Sequence, residues 1–163
     1  MENKDFNRLL LLTAFSCMAC DGEIAGEELS LIKELDAKEK LFGDIEVGVE
    51  LKKLKEQIDK EGNQFLKRYI GELGKSELTK EQELDLLRVA YRTILADNKV
   101  EYSEVKFFKV IRSNMKKLDD EVILSGIEGI EDYFIQDDIK AGYDVLYDSY
   151  FGNVDISHLT FKV

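Results

Sequence analysis

Displaced by 76 residues, the chain falls onto itself: Leu10-Leu11 meets Leu86-Leu87, Ala14-Phe15 meets Ala90-Tyr91, Asp21 meets Asp97, Ile24 meets Val100 and Glu28 meets Glu104. A single offset that aligns apolar positions and acids together, over about twenty residues, marks a duplicated supersecondary unit. In the second copy Leu84, Leu87, Tyr91, Ile94 and Leu95 recur at helical spacing, with Arg88 and Arg92 between them, which predicts an amphipathic helix. The offset extends that reading to Leu9–Ala19. Each helix runs into an Asp followed by Gly22-Glu23 or Asn98-Lys99, and Gly and Asn accept the left-handed backbone that ends a helix. A new apolar stripe then begins: Leu29, Ile32 and Leu35 in copy one, Val105, Phe108, Ile111 and Met115 in copy two. The repeated unit therefore reads as a helix–turn–helix carrying D-x-x-[IV]-x-x-x-E. Ile24 and Val100 are expected to be buried at the turns, and the two copies to be related by an approximate twofold.

The remainder reads as helix too. Asp44 is placed to cap a helix whose apolar positions, Val47, Leu51, Leu54 and Ile58, follow a four-three-four spacing that ends at Gly62-Asn63. Phe65, Leu66, Tyr69, Ile70 and Leu73 form the next stripe, and Thr79 with Gln82 makes a capping box that opens copy two. With no proline and only 11 glycines, the strongest helix breakers are missing. A length of 163 residues, 44% apolar, is enough for a buried core. The expected fold is thus all-α, a compact helical bundle with two pseudo-symmetric helix–turn–helix repeats. Residues 1–118 are expected to form the repeat-bearing domain, and 119–163 an acidic, aromatic extension packed on it. In that extension, short helices between Gly126, Gly129, Gly142 and Gly152 are expected to give way to an irregular tail.

Charge narrows the function. The net charge is −11, and eleven acids against Lys140 and Lys162 put most of it in the stretch from Asp119 to Val163. Nucleic-acid affinity comes from neutralising phosphates with Lys and Arg, so neither a nucleic acid nor an acidic membrane surface is an expected partner. Leu9–Phe15 is apolar enough for a signal-peptide core, but Glu2 and Asp5 offset Lys4 and Arg8 where a signal needs net positive charge. With only Cys17 and Cys20 there is no disulfide framework, and a cytoplasmic location without a membrane span is expected.

Asp21-Gly22-x-Ile24-x-x-x-Glu28 has the form of the second half of a calcium-binding EF-hand loop. The first half is missing, because Cys17 and Ala19, or Thr93 and Leu95, occupy the positions of the other acidic ligands. Two readings stand. Asp21, Glu28, Asp97 and Glu104 could form one carboxylate site shared by both copies, since hard cations take oxygen ligands. Alternatively each Asp accepts backbone N–H bonds in its turn and each Glu sits in the first turn of the next helix, where the helix dipole favours it.

The segment AFSCMACDGEIAGEE (residues 14–28), with its echo AYRTILADNKVEYSE (residues 90–104), resembles the TerB family of tellurite-resistance-associated proteins, over roughly residues 6–116. The resemblance implies a compact bacterial helical bundle linked to stress response, and a divalent cation (calcium, magnesium or manganese) held by the acids of the turns. On this sequence those acids are Asp21 and Glu28, then Asp97 and Glu104. The chain departs from the pattern at Asn98, which stands where the second glycine belongs, and in the segment after Asp119.

Cys17-Met18-Ala19-Cys20 has C-x-x-C spacing, but it closes a helix, and the only histidine is His158. A zinc site lacks ligands, and a low-pKa redox pair belongs at a helix N-terminus. The offset puts the thiols on Thr93 and Ala96, so the expected role is small, buried packing. Lys52-Lys53-x-Lys55 and Lys116-Lys117 read as solvated faces. No nucleophile elbow, phosphate loop or Glu-x-x-His pair is present, so no catalytic residue and no enzyme is expected. The expectation is a non-enzymatic TerB-like module with a protein partner. Its alternative is an interaction or scaffold domain without metal.

Overall fold

A computed structural model describes residues 2–24, 26–40, 42–43, 45–96, 100–131, 134, 146–147, 150–152 and 160–161, with backbone alone at 23–24, 26–28, 39 and 160–161. Among these residues the chain folds into seven α-helices: α1 (Asn3–Ala19), α2 (Gly26–Glu39), α3 (Val47–Glu61), α4 (Asn63–Lys75), α5 (Lys80–Ile94), α6 (Tyr102–Ser113) and α7 (Asp120–Gly126). The class is all-α. None of these helices is long and apolar enough to cross a membrane.

Helix α1 forms the axis. From Leu9 onward every residue except Leu12 is buried, and the helix touches α3, α4, α5 and α6. It is not the two-faced helix that copy two suggested. Its runs Leu9-Leu10-Leu11 and Ala14-Phe15 leave no polar face after the first two turns, and a helix that is apolar all round must be enclosed. Each enclosed Leu or Phe contributes roughly 1.5–3 kcal/mol relative to exposure. Helix α5 makes the most extensive contact with α1 and remains two-faced, with Leu87, Tyr91 and Ile94 inward and Arg92 in solvent. Leu95 is exposed rather than part of the stripe, because the helix ends at Ile94 and Leu95 is its cap.

The other helices follow their stripes. Ile32 and Leu35 of α2 are buried, as are Val47, Leu51 and Ile58 of α3, the five predicted positions of α4, and Val105, Phe108 and Ile111 of α6. Their ends are set by local chemistry. Gly62 has φ 57° and ψ −130°, a conformation that costs any residue with a Cβ, and this one residue both ends α3 and starts α4. The Thr79–Gln82 capping box forms as predicted, with N–H to oxygen distances of 3.1 and 3.0 Å. Helix α3 begins at Glu46 without a side-chain cap, and Asp44 lies outside the described residues.

One buried cluster runs from Phe6 to Tyr150, so the residues after Asp119 contribute to the same core. The adjacent rings of Phe107 and Phe108 on α6 divide the work. Phe107 gathers Tyr69 and Tyr150, at centroid distances of 6.1 and 5.0 Å, while Phe108 gathers Tyr91 and Phe134, at 6.5 and 5.3 Å. The end of α7 and the backbone beyond it are held from α5, where Arg88 Nε donates to the Gly126 carbonyl at 2.9 Å and the Tyr91 hydroxyl to that of Gly129 at 2.8 Å. The tail is not wholly irregular. Thr160–Phe161 (β2) pairs in parallel with Glu23–Ile24 (β1), a two-residue ladder inserted where a plain turn was expected between α1 and α2.

Gly62→Ala should lower the unfolding free energy by about 1–3 kcal/mol in a urea titration, because alanine cannot adopt that backbone conformation without strain. Gly71→Ala, whose Cβ would meet nothing within 4 Å inside α4, should be neutral or slightly stabilising.

Candidate functional site

The structure carries the duplication into helix boundaries. Displaced by the same offset, α1 covers α5 and α2 covers α6 to within a residue or two at each end. In copy one, Gly22 has φ 88° and its N–H bonds the Ala19 carbonyl at 2.9 Å, the glycine-assisted helix stop predicted there. Asp21 is half-buried in that turn, and Glu28 lies in the first turn of α2. In copy two, Val100 is half-buried and packs against the core. The side chains of Glu28 and Ile24, and all of Asp97, lie outside the described residues.

Of the four predicted acids, Glu104 has the clearest role. It is 2% exposed, in the first turn of α6, and its Oε1 accepts the Glu101 backbone N–H at 2.8 Å. The Glu101 side chain in turn accepts the N–H of Glu104, so the two close a reciprocal capping box. The sequence signal was present but differently dressed, since a capping box usually begins with Ser or Thr and here begins with Glu. Among the described residues, no three His, Cys, Asp or Glu side chains converge on one point.

Another acid outside the motif does comparable work. Glu83 of α5 is 3% exposed, and its two carboxylate oxygens accept the backbone N–H groups of Lys117 at 2.9 Å and Lys116 at 3.2 Å. It thereby fastens the link between α6 and α7 to the start of α5. The Lys116-Lys117 pair, expected to be a solvated face, is exposed by side chain yet anchored through its backbone. Lys117 Nζ also donates to the Leu78 carbonyl. The legible signal was that Glu83 occupies the apolar stripe of α5, one turn before Leu87. An acid there must find buried donors, because an uncompensated charge is costly inside.

Around the end of α1 other polar groups converge. Cys17 and Cys20 are fully buried thiols with no disulfide between them, as expected for packing residues. The Tyr69 hydroxyl hydrogen-bonds the Thr13 hydroxyl at 2.8 Å, and the Tyr150 hydroxyl donates to the Cys20 carbonyl at 2.5 Å. Burial pushes both phenols well above their ordinary ionisation range. For Tyr150, the proximity of Cys20, Asp21 and Cys17 adds to the effect. Nothing in the local sequence marked Tyr150 for this place, which is reached from 130 positions away.

No protein-family model, curated protein or solved structure matches the chain.

Glu104→Gln should change stability by less than about 0.5 kcal/mol, because glutamine can still accept the Glu101 N–H, whereas Glu104→Ala should cost about 1–3 kcal/mol by leaving a buried donor unsatisfied. Alkaline titration gives a second check. Both buried phenols bind their protons more tightly in the folded state than at the unfolded value of about 10, so their stabilisation is complete below pH about 10 and is lost as pH rises above it. The urea midpoint should fall over that range. A Tyr69→Phe, Tyr150→Phe double variant should be less stable at neutral pH and show a weaker fall.

Proposed function

We propose that this chain is a non-enzymatic, TerB-like helical module that acts by binding a protein partner in a cytoplasmic stress response, with the glutamate of its second motif serving as a helix cap. The observation that carries the reading is Glu104. Its carboxylate is buried and bonded to the backbone it caps, which is what a structural acid does and what an open cation ligand does not. A partner has apolar surface to grip beside the same turn, where Tyr102 at the start of α6 is 74% exposed and carries Lys106 Nζ over its ring at 4.5 Å. Aromatic and cationic groups of this kind are enriched where proteins dock.

A second reading draws on copy one. Asp21 is half-buried in a glycine turn and Glu28 follows at the start of α2, the spacing of half an EF-hand loop. In that reading calcium, magnesium or manganese binds through oxygens of Asp21 and Glu28 together with Asp97 and, after its cap opens, Glu104.

Thermal unfolding separates the two, because a ligand that binds only the native state must raise its stability. If the acids are structural, the melting temperature is the same in EDTA and in millimolar calcium, magnesium or manganese, and Asp21→Asn costs the same with and without metal. A cation-dependent rise that Asp21→Asn with Asp97→Asn abolishes would establish the metal reading instead. For the partner, Tyr102→Ala should leave the melting temperature within a degree or two and weaken capture of the partner in a pull-down, as loss of an exposed anchor does. Undiminished capture would place the interface elsewhere.

A further inference from the structure

The thiols of Cys17 and Cys20 lie at the C-terminal end of α1, and two attachments of the chain's end to this region meet the backbone at Cys20 and just after it. The Cys20 carbonyl accepts the Tyr150 hydroxyl at 2.5 Å, and three residues later Glu23–Ile24 pairs with Thr160–Phe161. Cys20 itself keeps helical backbone angles, φ −67° and ψ −16°, and its Sγ donates to the Cys17 carbonyl at 3.1 Å. Packing alone does not call for sulfur here. In copy two the same positions are Thr93 and Ala96, and Thr93 fills its place while bonding the Val89 carbonyl at 2.8 Å.

We infer that Cys17 and Cys20 are a redox latch: their oxidation to a disulfide releases the Tyr150 hydroxyl, and with it the Thr160–Phe161 pairing, from the end of α1. Side chains three apart on a helix have Cβ atoms about 5–6 Å apart, whereas a disulfide holds them at about 3.5–4.5 Å. Closing the bond therefore draws one cysteine toward the other. Cys20 is the one that moves, because it caps the helix while Cys17 is held within it. The move breaks the Cys20 Sγ hydrogen bond and turns its carbonyl away from the Tyr150 hydroxyl. A buried hydroxyl without an acceptor disfavours the closed arrangement, so Tyr150 comes away from the end of α1.

The oxidant class is a peroxide. One thiolate attacks a peroxide oxygen, the O–O bond breaks, and a sulfenic acid and hydroxide result, the hydroxide becoming water with the thiol's proton. The second thiolate attacks the sulfenic sulfur and expels hydroxide, which takes the second proton. Two thiols and one hydrogen peroxide thus yield one disulfide and two waters, the sulfurs losing the two electrons that the peroxide gains. Because both thiols are fully buried, the closed form reacts slowly, and reaction proceeds through moments when the Tyr150 segment is lifted. Once formed, the disulfide keeps it lifted until a thiol reductant restores both cysteines.

The test uses the full chain, first reduced and then treated with hydrogen peroxide. Intact mass and peptide mapping should show loss of two hydrogens and a Cys17–Cys20 link. Amide exchange in peptides covering residues 19–24, 146–152 and 160–161 should rise about tenfold, the scale of one lost hydrogen bond, while α3 and α4 are unchanged and dithiothreitol reverses the effect. Tyr150→Phe should raise the same exchange without peroxide. Cys17→Thr with Cys20→Ala, the residues of copy two, should make it insensitive to peroxide; if that variant does not fold, the oxidised and reduced wild type decide the matter alone. A disulfide that leaves exchange unchanged, oxidation that runs to sulfinic acid with no disulfide, or a double variant as peroxide-sensitive as the wild type would each overturn the latch.

Discussion

Everything in this fold is arranged around the need to cover α1. A helix whose residues from Leu9 to Ala19 are buried on nearly every side has no solvent face to offer, so α3, α4, α5 and α6 must enclose it. That explains why α5, its counterpart in the repeat, can be two-faced. One copy of the duplicated unit lies inside, the other supplies part of the wall, and the same apolar spacing serves both. Helix boundaries thus coincide across the 76-residue offset, while the environments of the two first helices differ.

Enclosing α1 leaves its end as the weak point, since the last carbonyls of a helix have no partner within it. The fold meets this with groups drawn from far along the chain. Gly22 turns the backbone at once, and the Tyr150 hydroxyl takes up the Cys20 carbonyl. Phe107 supports the Tyr150 ring, and Phe108 beside it holds Phe134. Among its described residues, the acidic, aromatic segment after Asp119 therefore adds two fully buried rings to the core, Phe134 and Tyr150, while its described acids remain in solvent. From α5, Glu83 ties down the backbone leading into that segment, and Arg88 and Tyr91 the backbone at Gly126 and Gly129 within it.

The buried carboxylates show how one residue type is put to a structural use by geometry alone. Glu83 and Glu104 are both nearly inaccessible, and both accept from backbone N–H groups at 2.8–3.2 Å. Charge-assisted bonds to main-chain donors compensate the desolvation that would otherwise exclude a carboxylate from the interior. In a motif read from sequence, such an acid cannot be told from a cation ligand. Both need Glu at the start of a helix, and only the direction of the carboxylate separates them.

The first six helices, the buried stripes of α2 to α6, the Thr79 capping box and the helix stop at Gly22 were legible in the sequence, because each depends on residues within a few positions of one another and the helical period exposes them directly. The all-α class followed from the same local signals. What lay beyond sequence was every relation between residues distant along the chain. That α1 would be enclosed rather than two-faced, that Lys116 and Lys117 would be held through their backbone by Glu83, and that Tyr150 would close the end of α1 all depend on which elements become neighbours. Local spacing determines which face of a helix is apolar. Only the packing of the whole chain decides what that face meets, because burial and hydrogen-bond partners are properties of the assembled interior and not of any segment.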